Sequence, residues 1–257
     1  LEFYQYLING EVKRFPLVRQ NLQEVLLTSR TMFNFETGEL RTPDNTIYVA
    51  ALGMKTYPTS TFPGQFSVIL GLPFEFVLTQ SFASLTQGAA REVLRKASSR
   101  LSQTEHDATS EIVEISGGGK GSALDDLAAR RFILGEHHLV LLLKASSPAK
   151  LNRNIARARK TFSDAGEIVM ARESLALEAA FWSQLPGNMK YRPRPTMITS
   201  RNAAGLMALF SELKGKASGN HWGNSVVVLR TVHGTPYHFN FHVDDVGHSF
   251  ICGPTGS

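Results

Sequence analysis

Several residue types and patterns that define protein classes are scarce or missing in this sequence. Among 257 residues there is one cysteine, Cys252, so no disulfide can form within the chain and a disulfide-rich secreted fold is excluded. The longest apolar runs, such as residues 139–143, fall far short of the ~20 apolar residues that a membrane-spanning helix needs. The amino-terminal stretch has neither an initiating Met nor the basic and apolar regions of a signal peptide, and the chain is expected to begin within a domain.

Charge is also sparse, while apolar residues are plentiful. Charged residues make up 19% of the sequence and apolar residues 42%, which favours a packed globular core over a disordered chain. The formal net charge is +5. This charge is compatible with an anionic partner but does not distinguish among nucleotide, nucleic acid and membrane surface. The length suits one large domain or two modest ones.

Between residues 24 and 185 the hydrophobic patterns predict strands that alternate with helices. Strands are expected at residues 24–35, 46–54, 74–82, 131–145 and 167–171. Helices are expected at residues 64–71, along an apolar stripe from Ala90 to Ile115, and at residues 124–131, 149–165 and 173–185. Because helical connections between strands imply crossovers, the predicted fold class is α/β in the α+β sense. We expect a mixed sheet with crossover helices, arranged as a ferredoxin-like split βαβ.

The helix expected at residues 149–165 has the clearest amphipathic pattern. Ser147 can cap this helix, with Pro148 at its first helical position. The apolar side carries Leu151, Ile155, Ala158 and Phe162, and the opposite side carries Lys150, Arg153, Arg157 and Lys160. The basic side is either a solvated helix face or a surface for an anionic partner, and no aromatic residues interleave with the bases as in single-strand binding.

Composition divides the chain at residues 186–202. Three prolines interleaved with Arg192 and Arg194 favour an extended linker there, between a domain at residues 1–185 and a second region at residues 203–257. In the second region, two alternating segments flank the turn residues 233–236 and predict a β-hairpin. A further buried strand is expected at residues 249–252.

The last residues begin like a phosphate-binding loop. Such a loop has the pattern G-x-x-x-x-G-K-[ST] directly after a buried strand, and its backbone N–H groups surround the phosphates. The first five positions would be Gly253, Pro254, Thr255, Gly256 and Ser257. The same residues are also ordinary turn formers, so a generic turn is the alternative. The string GGGKGS at residues 117–122 follows a helical pattern rather than a strand and is interpreted as a connection between helices.

Histidines give two further candidate sites. His233, His238, His242 and His248 lie near Asp244 and Asp245. Imidazole and carboxylate groups are common metal ligands, but the spacing matches no zinc motif, so an exposed polar hairpin face is preferred and no metal site is predicted. His137 and His138 are neighbours in an expected strand and point to opposite faces, so they cannot share an ion. Hydrogen-bonded sheet histidines are expected there. Core packing is expected for Trp182, Trp222, Phe181 and Cys252, and a subunit contact is the alternative for either tryptophan.

Longer strings resemble a known protein family. Beside FPLV near the start, they are FEFVLTQSFASL (74–85), FILGEHHLVLLL (132–143), LEAAFWSQLPGNMKYRPRPTMITSRN (177–202), GNHWGNSVVVLRTVHGTPYHFNFH (219–242) and DVGHSFICGPTGS (245–257). Together they are similar to the VirB/TrbE/CagE family, the large hexamer-forming ATPases of bacterial type IV secretion and conjugation systems. The similarity runs nearly from end to end.

This resemblance implies a domain organisation and a function. Residues 1–185 would be the family's docking and oligomerisation domain, and residues 203–257 the opening β-hairpin and first strand of a RecA-like P-loop domain. Gly253, Pro254, Thr255, Gly256 and Ser257 would begin the loop that binds ATP and Mg²⁺ in the full-length protein. The lysine and the Mg²⁺-holding hydroxyl would follow Ser257, so the chain by itself is expected not to hydrolyse ATP.

The resemblance also implies partners and a location. The full-length protein is expected to form a homo-oligomer, a hexamer, and to bind other secretion subunits at the cytoplasmic face of the bacterial inner membrane. There it would energise pilus assembly and translocation of protein or DNA, and contact with nucleic acid stays open. Two alternatives from other classes remain: a non-catalytic scaffold or interaction module, and a metal-dependent hydrolase built on the histidine-bearing hairpin.

Overall fold

A computed structural model describes residues 1–11, 21–58, 60–101, 125–207, 213–231, 235–242, 246–250 and 252–253. The helices in these ranges are α1 (Glu2–Asn9), α2 (Leu22–Leu26), α3 (Ser67–Leu70), α4 (Gln87–Leu101), α5 (Pro148–Asp164), α6 (Leu177–Trp182) and α7 (Ser200–Leu206), with a 3₁₀ turn at Met189–Tyr191. The strands are β1 (Arg30–Phe33), β2 (Gly38–Arg41), β3 (Thr46–Thr56), β4 (Phe76–Ser84), β5 (Leu134–Ala145), β6 (Val169–Arg172), β7 (Thr196–Thr199), β8 (Val227–Arg230) and β9 (Pro236–Phe239).

Four strands form a split βαβ arrangement. β5 lies between β3 and β4 and pairs antiparallel with both, so β3 and β4 run in the same direction with β5 inserted between them. β6 pairs antiparallel with β3, so β5 and β6 also run in one direction, with α5 connecting them. The strand order β6-β3-β5-β4 confirms the predicted α+β fold. The sheet is antiparallel rather than mixed, however. β5 separates the parallel strands β3 and β4, β3 separates the parallel strands β5 and β6, and every described pair of neighbouring strands is antiparallel.

Three further strands extend this sheet. β2 pairs with residues Thr46–Val49 of β3, on the edge of β3 where β6 pairs with later residues. β1 pairs with the other edge of β2. β7 pairs with β5 at Leu134–His137. The expectation of an extended linker at residues 186–202 is therefore wrong for its second half, where β7 joins the sheet and α7 follows. The division of the chain into domains stays a prediction.

The sheet has an apolar core on each face because both central strands are buried on both sides. On one face, alternate residues of β3 and β5 pack against α5 and α7, and this core includes Leu52, Leu141, Phe162 and Leu206. On the other face, the intervening residues pack against α6, with Val49, Leu142 and Phe181. A smaller cluster joins Ala90 and Leu94 of α4 to Leu127, Phe132 and Leu134. These burials explain the unbroken apolar run of β5.

Helix α5 matches its prediction closely. The hydroxyl of Ser147 accepts a hydrogen bond from the backbone N–H of Lys150 at 3.3 Å, and Pro148 occupies the first turn. Leu151, Ile155, Ala158 and Phe162 are all buried. The basic residues Lys150, Arg153, Arg157 and Lys160 are all exposed, which agrees with both a solvated face and a surface for an anionic partner.

Two expected elements differ from the structure. The strand expected from residue 24 starts only at Arg30, because the strong helix formers Leu22, Glu24 and Leu26 lie in α2. The helix expected at residues 173–185 is confined to α6, and no side chain caps its start. Among the described helices, none is long and apolar enough to cross a membrane.

Candidate functional site

The predicted phosphate loop is described only at its first residue. Gly253 is exposed and lies in irregular backbone. Pro254, Thr255, Gly256 and Ser257, like the string GGGKGS at residues 117–122, lie outside the described residues. The assignment of these five residues to a phosphate site therefore stays a prediction.

A buried strand was expected at residues 249–252, just before this loop. The residues of that segment that the structure describes do not form one. Residues 247–250 and 252–253 are irregular, and the side chain of Phe250 is 91% exposed. Cys252 is likewise exposed rather than part of a core. A strand needs a neighbour that accepts its backbone hydrogen bonds, and none of the described strands pairs with these residues.

The predicted β-hairpin is confirmed. β8 and β9 pair antiparallel, with Val227 opposite Phe239 and Arg230 opposite Pro236. Thr231 and Thr235 flank the turn between the two strands, and their hydroxyl oxygens lie 2.7 Å apart. All four residues of β8 are exposed, including Val227, Val228 and Leu229. The hairpin therefore carries apolar side chains that the described residues do not cover.

The histidines of this hairpin that the structure describes do not come together on one strand face. β9 ends at Phe239, so His238 and His242 do not share a strand face, and His238 Nδ1 lies 3.2 Å from the hydroxyl of Ser225. The His242 ring stacks on His221 at 4.8 Å and on the edge of Trp222 at 4.3 Å. Within the described ranges no cluster of His, Cys, Asp and Glu could hold a metal ion. His233, Asp244 and Asp245 lie outside those ranges.

The two tryptophans occupy different environments. Trp182 is half-buried and meets the ring of Phe181 edge-on at 5.1 Å in the core beneath α6. Trp222 is 60% exposed, so the expectation of core packing is wrong for this residue. Its indole instead contacts the imidazole of His242 beside the hairpin.

The pleat of β5 places His137 and His138 on opposite faces of the sheet, as predicted. His137 faces the α5 side, where its Nδ1 lies 2.8 Å from the hydroxyl of Tyr57. His138 faces the α6 side, is 1% exposed, and has no hydrogen-bond partner among the described residues. Glu136 lies on the same face and accepts a hydrogen bond of 3.1 Å from Arg192.

Burial changes the protonation of both imidazoles. It lowers the pKa of His137 to about 4, and the adjacent His138 contributes in the same direction. It also lowers the pKa of His138 to about 4, with the nearby charge of Arg192 as a second cause. Both imidazoles are therefore neutral at pH 7, and the hydrogen-bonded sheet histidine that we expected is confirmed for His137 alone.

A buried lysine on β5 was missed by sequence reasoning. The Lys144 ammonium donates a hydrogen bond of 3.0 Å to the backbone carbonyl of Tyr6 and lies 3.9 Å from the centre of that ring. Its nearest carboxylate oxygen, on Glu75, is 3.9 Å away. Burial lowers the pKa of Lys144 to about 8, against a smaller opposite effect of Glu75. The apolar run around Lys144 was a signal that its side chain would be covered.

Replacing Lys144 by Met tests the effect of this burial. The folded chain releases the proton near pH 8 and the unfolded chain only near pH 10.5. The free energy of unfolding of the wild type should therefore rise from pH 8 to pH 9.5, by about 2 kcal/mol relative to Lys144→Met. Urea titrations at several pH values measure this difference. Lys55→Met, at an exposed position, should leave the pH dependence unchanged, and equal slopes for all three proteins would contradict the effect.

Comparisons with known proteins agree with the family suggested by the sequence. Residues 1–194 match the model of the CagE, TrbE, VirB family, described as a component of type IV transporter systems. The type IV secretion system protein virB4 of Bartonella quintana is 41% identical over 256 residues, which cover all of this chain and 32% of that protein. Protein virB4 of Agrobacterium fabrum is 38% identical over 255 residues, or 99% of this chain and 31% of that protein.

A more distant relative shows the same pattern of coverage. The type IV secretion system protein virB4 of Brucella suis is 35% identical over 242 residues, which are 94% of this chain and 28% of that protein. The chain thus spans about a third of the length of the curated relatives that it matches.

Proposed function

Because this chain belongs to the CagE, TrbE, VirB family of type IV transporter components, we propose that it is part of an ATPase that energises pilus assembly and translocation of protein or DNA. Residues 1–185 serve as the docking and oligomerisation unit in this proposal, and β7 and α7 extend its sheet and core. The hairpin β8–β9 and the residues from Gly253 onward belong to the nucleotide-binding part.

The extent of the sequence match carries the proposal. The family model ends at residue 194, whereas the similarity to the Bartonella quintana protein continues through the whole chain. The hairpin and the loop after it are therefore shared with a secretion-system protein that is about three times as long. This supports treating the last residues as part of a larger nucleotide-binding unit.

The exposure of the hairpin agrees with that role. A two-stranded hairpin is marginally stable on its own, and the side chains of Val228 and Phe250 are 55% and 91% exposed. In a protein of the relatives' length, further strands of the nucleotide-binding unit would cover these apolar groups. The phosphate-binding role itself comes from the pattern of Gly253, Pro254, Thr255, Gly256 and Ser257.

ATP and Mg²⁺ are the proposed cofactors. A phosphate loop works through backbone N–H groups that point at the phosphates, so its residues must leave the backbone accessible. Gly253 is exposed, which is compatible with this requirement. The proposal adds a lysine and a hydroxyl residue after Ser257, to contact the terminal phosphates and the metal ion.

Hydrolysis of ATP by two lengths of the protein tests this function. The longer protein, produced from the extended reading frame, should hydrolyse ATP. The 257-residue chain alone should not, because the lysine and hydroxyl are outside it. Gly256→Ala in the longer protein should lower the rate at least about tenfold, since a methyl group would intrude where the backbone approaches the phosphates. Gly88→Ala is the matched control, because a methyl group there meets nothing within 4 Å.

Two results would reject the ATPase. One is a reading frame in which Gly-Lys-Ser or Gly-Lys-Thr does not follow Ser257, and the other is an inactive longer protein that still supports secretion. The second result would favour the alternative of a non-catalytic scaffold.

Docking at the cytoplasmic face of the bacterial inner membrane, through other secretion subunits, is the corresponding proposal for location. A homo-oligomer, a hexamer in the longer protein, is the proposed assembly. Membership of a family of type IV transporter components supports both proposals. Sedimentation of the longer protein and its fractionation with inner membranes, in cells with and without the other subunits, would test them separately.

A further inference from the structure

The outer edge of β4 is unpaired in the part of the chain that the structure describes. β4 pairs with β5 on one side, and none of the described strands pairs with its other side. Natural edge strands are usually blunted by charged residues, proline or bulges. Residues 76–84 contain no charged residue and no proline, and their register with β5 is regular throughout. Nothing within this strand prevents another strand from pairing with it.

The pairing with β5 fixes which backbone groups point outward. Lys144 N–H donates to the carbonyl of Glu75, and Leu85 N–H donates to the carbonyl of Leu134. Because antiparallel neighbours alternate, Val77, Thr79 and Ser81 bond to β5, while Leu78 and Gln80 direct their N–H and C=O groups to the open edge. Leu78 and Gln80 have no backbone hydrogen bond among the described residues.

A cavity of about 270 Å³ lies directly against this edge. We call it the β4 pocket: it is lined by residues 77–81 on one side and by residues 183–189 and Arg192 on the other, with Phe3 at its border. Sites for whole small ligands usually start at about 300 Å³. The volume therefore suits one side chain of a ligand that is held mainly elsewhere.

Three buried polar atoms of residues lining the β4 pocket lack partners among the described residues: Ser81 Oγ, Gln184 Oε1 and Arg192 Nη1. The side chains of Gln184 and Arg192 are already held by other hydrogen bonds. Gln184, which is 5% exposed, donates its Nε2 to the carbonyl of Leu7 at 3.1 Å. Arg192 donates to the carbonyl of Met189 at 3.0 Å and to Glu136 at 3.1 Å. Buried polar atoms without partners are costly, so this set is suited to a polar ligand group.

The chemistry of these atoms selects an uncharged amide. Arg192 offers a donor, Gln184 an acceptor, and Ser81 either. Glu136 already balances the positive charge of Arg192, so a ligand carboxylate would find no unpaired positive charge here. It would also lie against the oxygen of Gln184, which repels it. A primary amide matches both the donor and the acceptor.

We propose that the outer edge of β4 binds an extended peptide segment of a partner protein as an added strand, with an Asn or Gln side chain of that peptide in the β4 pocket. Leu78 and Gln80 supply the main-chain hydrogen bonds, which give affinity, and the pocket supplies specificity. This role goes beyond nucleotide hydrolysis and does not depend on it.

Hydrogen exchange of the chain alone is the first test. The amides of Leu78 and Gln80 should exchange rapidly, and those of Thr79 and Ser81 slowly. Equally slow exchange at all four would show that the edge is already covered, by another segment or by a second copy of the chain, and would overturn the proposal.

Selection of displayed random peptides on the purified chain is the second test. Enriched peptides should share Asn or Gln at one position and slow the exchange of Leu78 and Gln80 when bound. Ser81→Ala should weaken their binding about fivefold, whereas Ser84→Ala, at the exposed end of the same strand, should not. Leu78→Pro removes an outward N–H without touching the bonds to β5, and should abolish binding.

Several outcomes would reject the proposal. One is the absence of enriched peptides. Another is peptide binding that neither Ser81→Ala nor Leu78→Pro weakens, and a third is enrichment of Asp or Glu in place of Asn or Gln. If Leu78→Pro does not fold, the comparison of Ser81→Ala with Ser84→Ala still decides the outcome.

Discussion

Lowering the pH from 7 to 4 is expected to destabilise the folded chain strongly through His137 and His138. An unfolded chain takes up a proton on each imidazole near pH 6.5, whereas burial delays this uptake to about pH 4 in the folded chain. The stability that depends on the neutral imidazoles is present above pH 6.5 and is lost as the pH falls towards 4. Each histidine accounts for a loss of about 3 kcal/mol in the free energy of unfolding.

Urea unfolding followed by tryptophan fluorescence, at pH values from 7 to 4, measures this loss. His138→Leu should remove about 3 kcal/mol of the pH dependence and cost little at pH 7, because His138 has no described hydrogen-bond partner. His221→Gln, at an exposed position, is the matched control and should keep the full dependence. If His138→Leu and the wild type lost stability in parallel below pH 6.5, the buried imidazole would not be the cause.

Phe162→Ala is expected to cost about 3–5 kcal/mol of the free energy of unfolding. The Phe162 ring is fully buried where α5 packs on the sheet, and it meets Phe66 at 5.5 Å with the planes at 73°. Truncation removes apolar contacts and leaves a cavity between α5 and the segment that carries α3. Because whole domains are stable by only about 5–15 kcal/mol, the loss would be a large share of the total.

Chemical denaturation of Phe162→Ala and of Phe35→Ala tests this estimate. Phe35 is 63% exposed, so its truncation should change the free energy of unfolding by less than about 1 kcal/mol. A cost for Phe162→Ala no larger than that of Phe35→Ala would mean that α5 does not pack as described.

Local patterns predicted the fold where they were long and regular. The cap at Ser147 and the apolar side of α5 identified that helix, and the apolar runs identified β3, β4 and β5 to within a few residues. The split βαβ arrangement followed from the order of these elements. The antiparallel character of the whole sheet and the pairing of β7 with β5 depend on contacts between distant segments, which no local pattern reports.

Buried polar contacts were the least predictable part. Lys144 bonds to Tyr6, 138 residues away in sequence. Asn9 is buried beside α2, where its amide donates to the carbonyl of Leu26 and its oxygen accepts from the backbone of Thr28. The apolar run around Lys144 indicates that its side chain is covered, but neither residue's sequence context indicates its partner. Only the folded chain shows that its partner groups lie within hydrogen-bonding distance.

The position of β7 has a mechanical consequence. Residues 196–199 are bonded along β5, and Ala203 and Leu206 of the following α7 are buried in the core. A force applied to the chain beyond residue 207 would therefore load the β5–β7 hydrogen bonds and this apolar contact before it could reach residues 186–195. A pull on α7 would therefore strain the sheet through β5 first, because β7 is bonded to that strand.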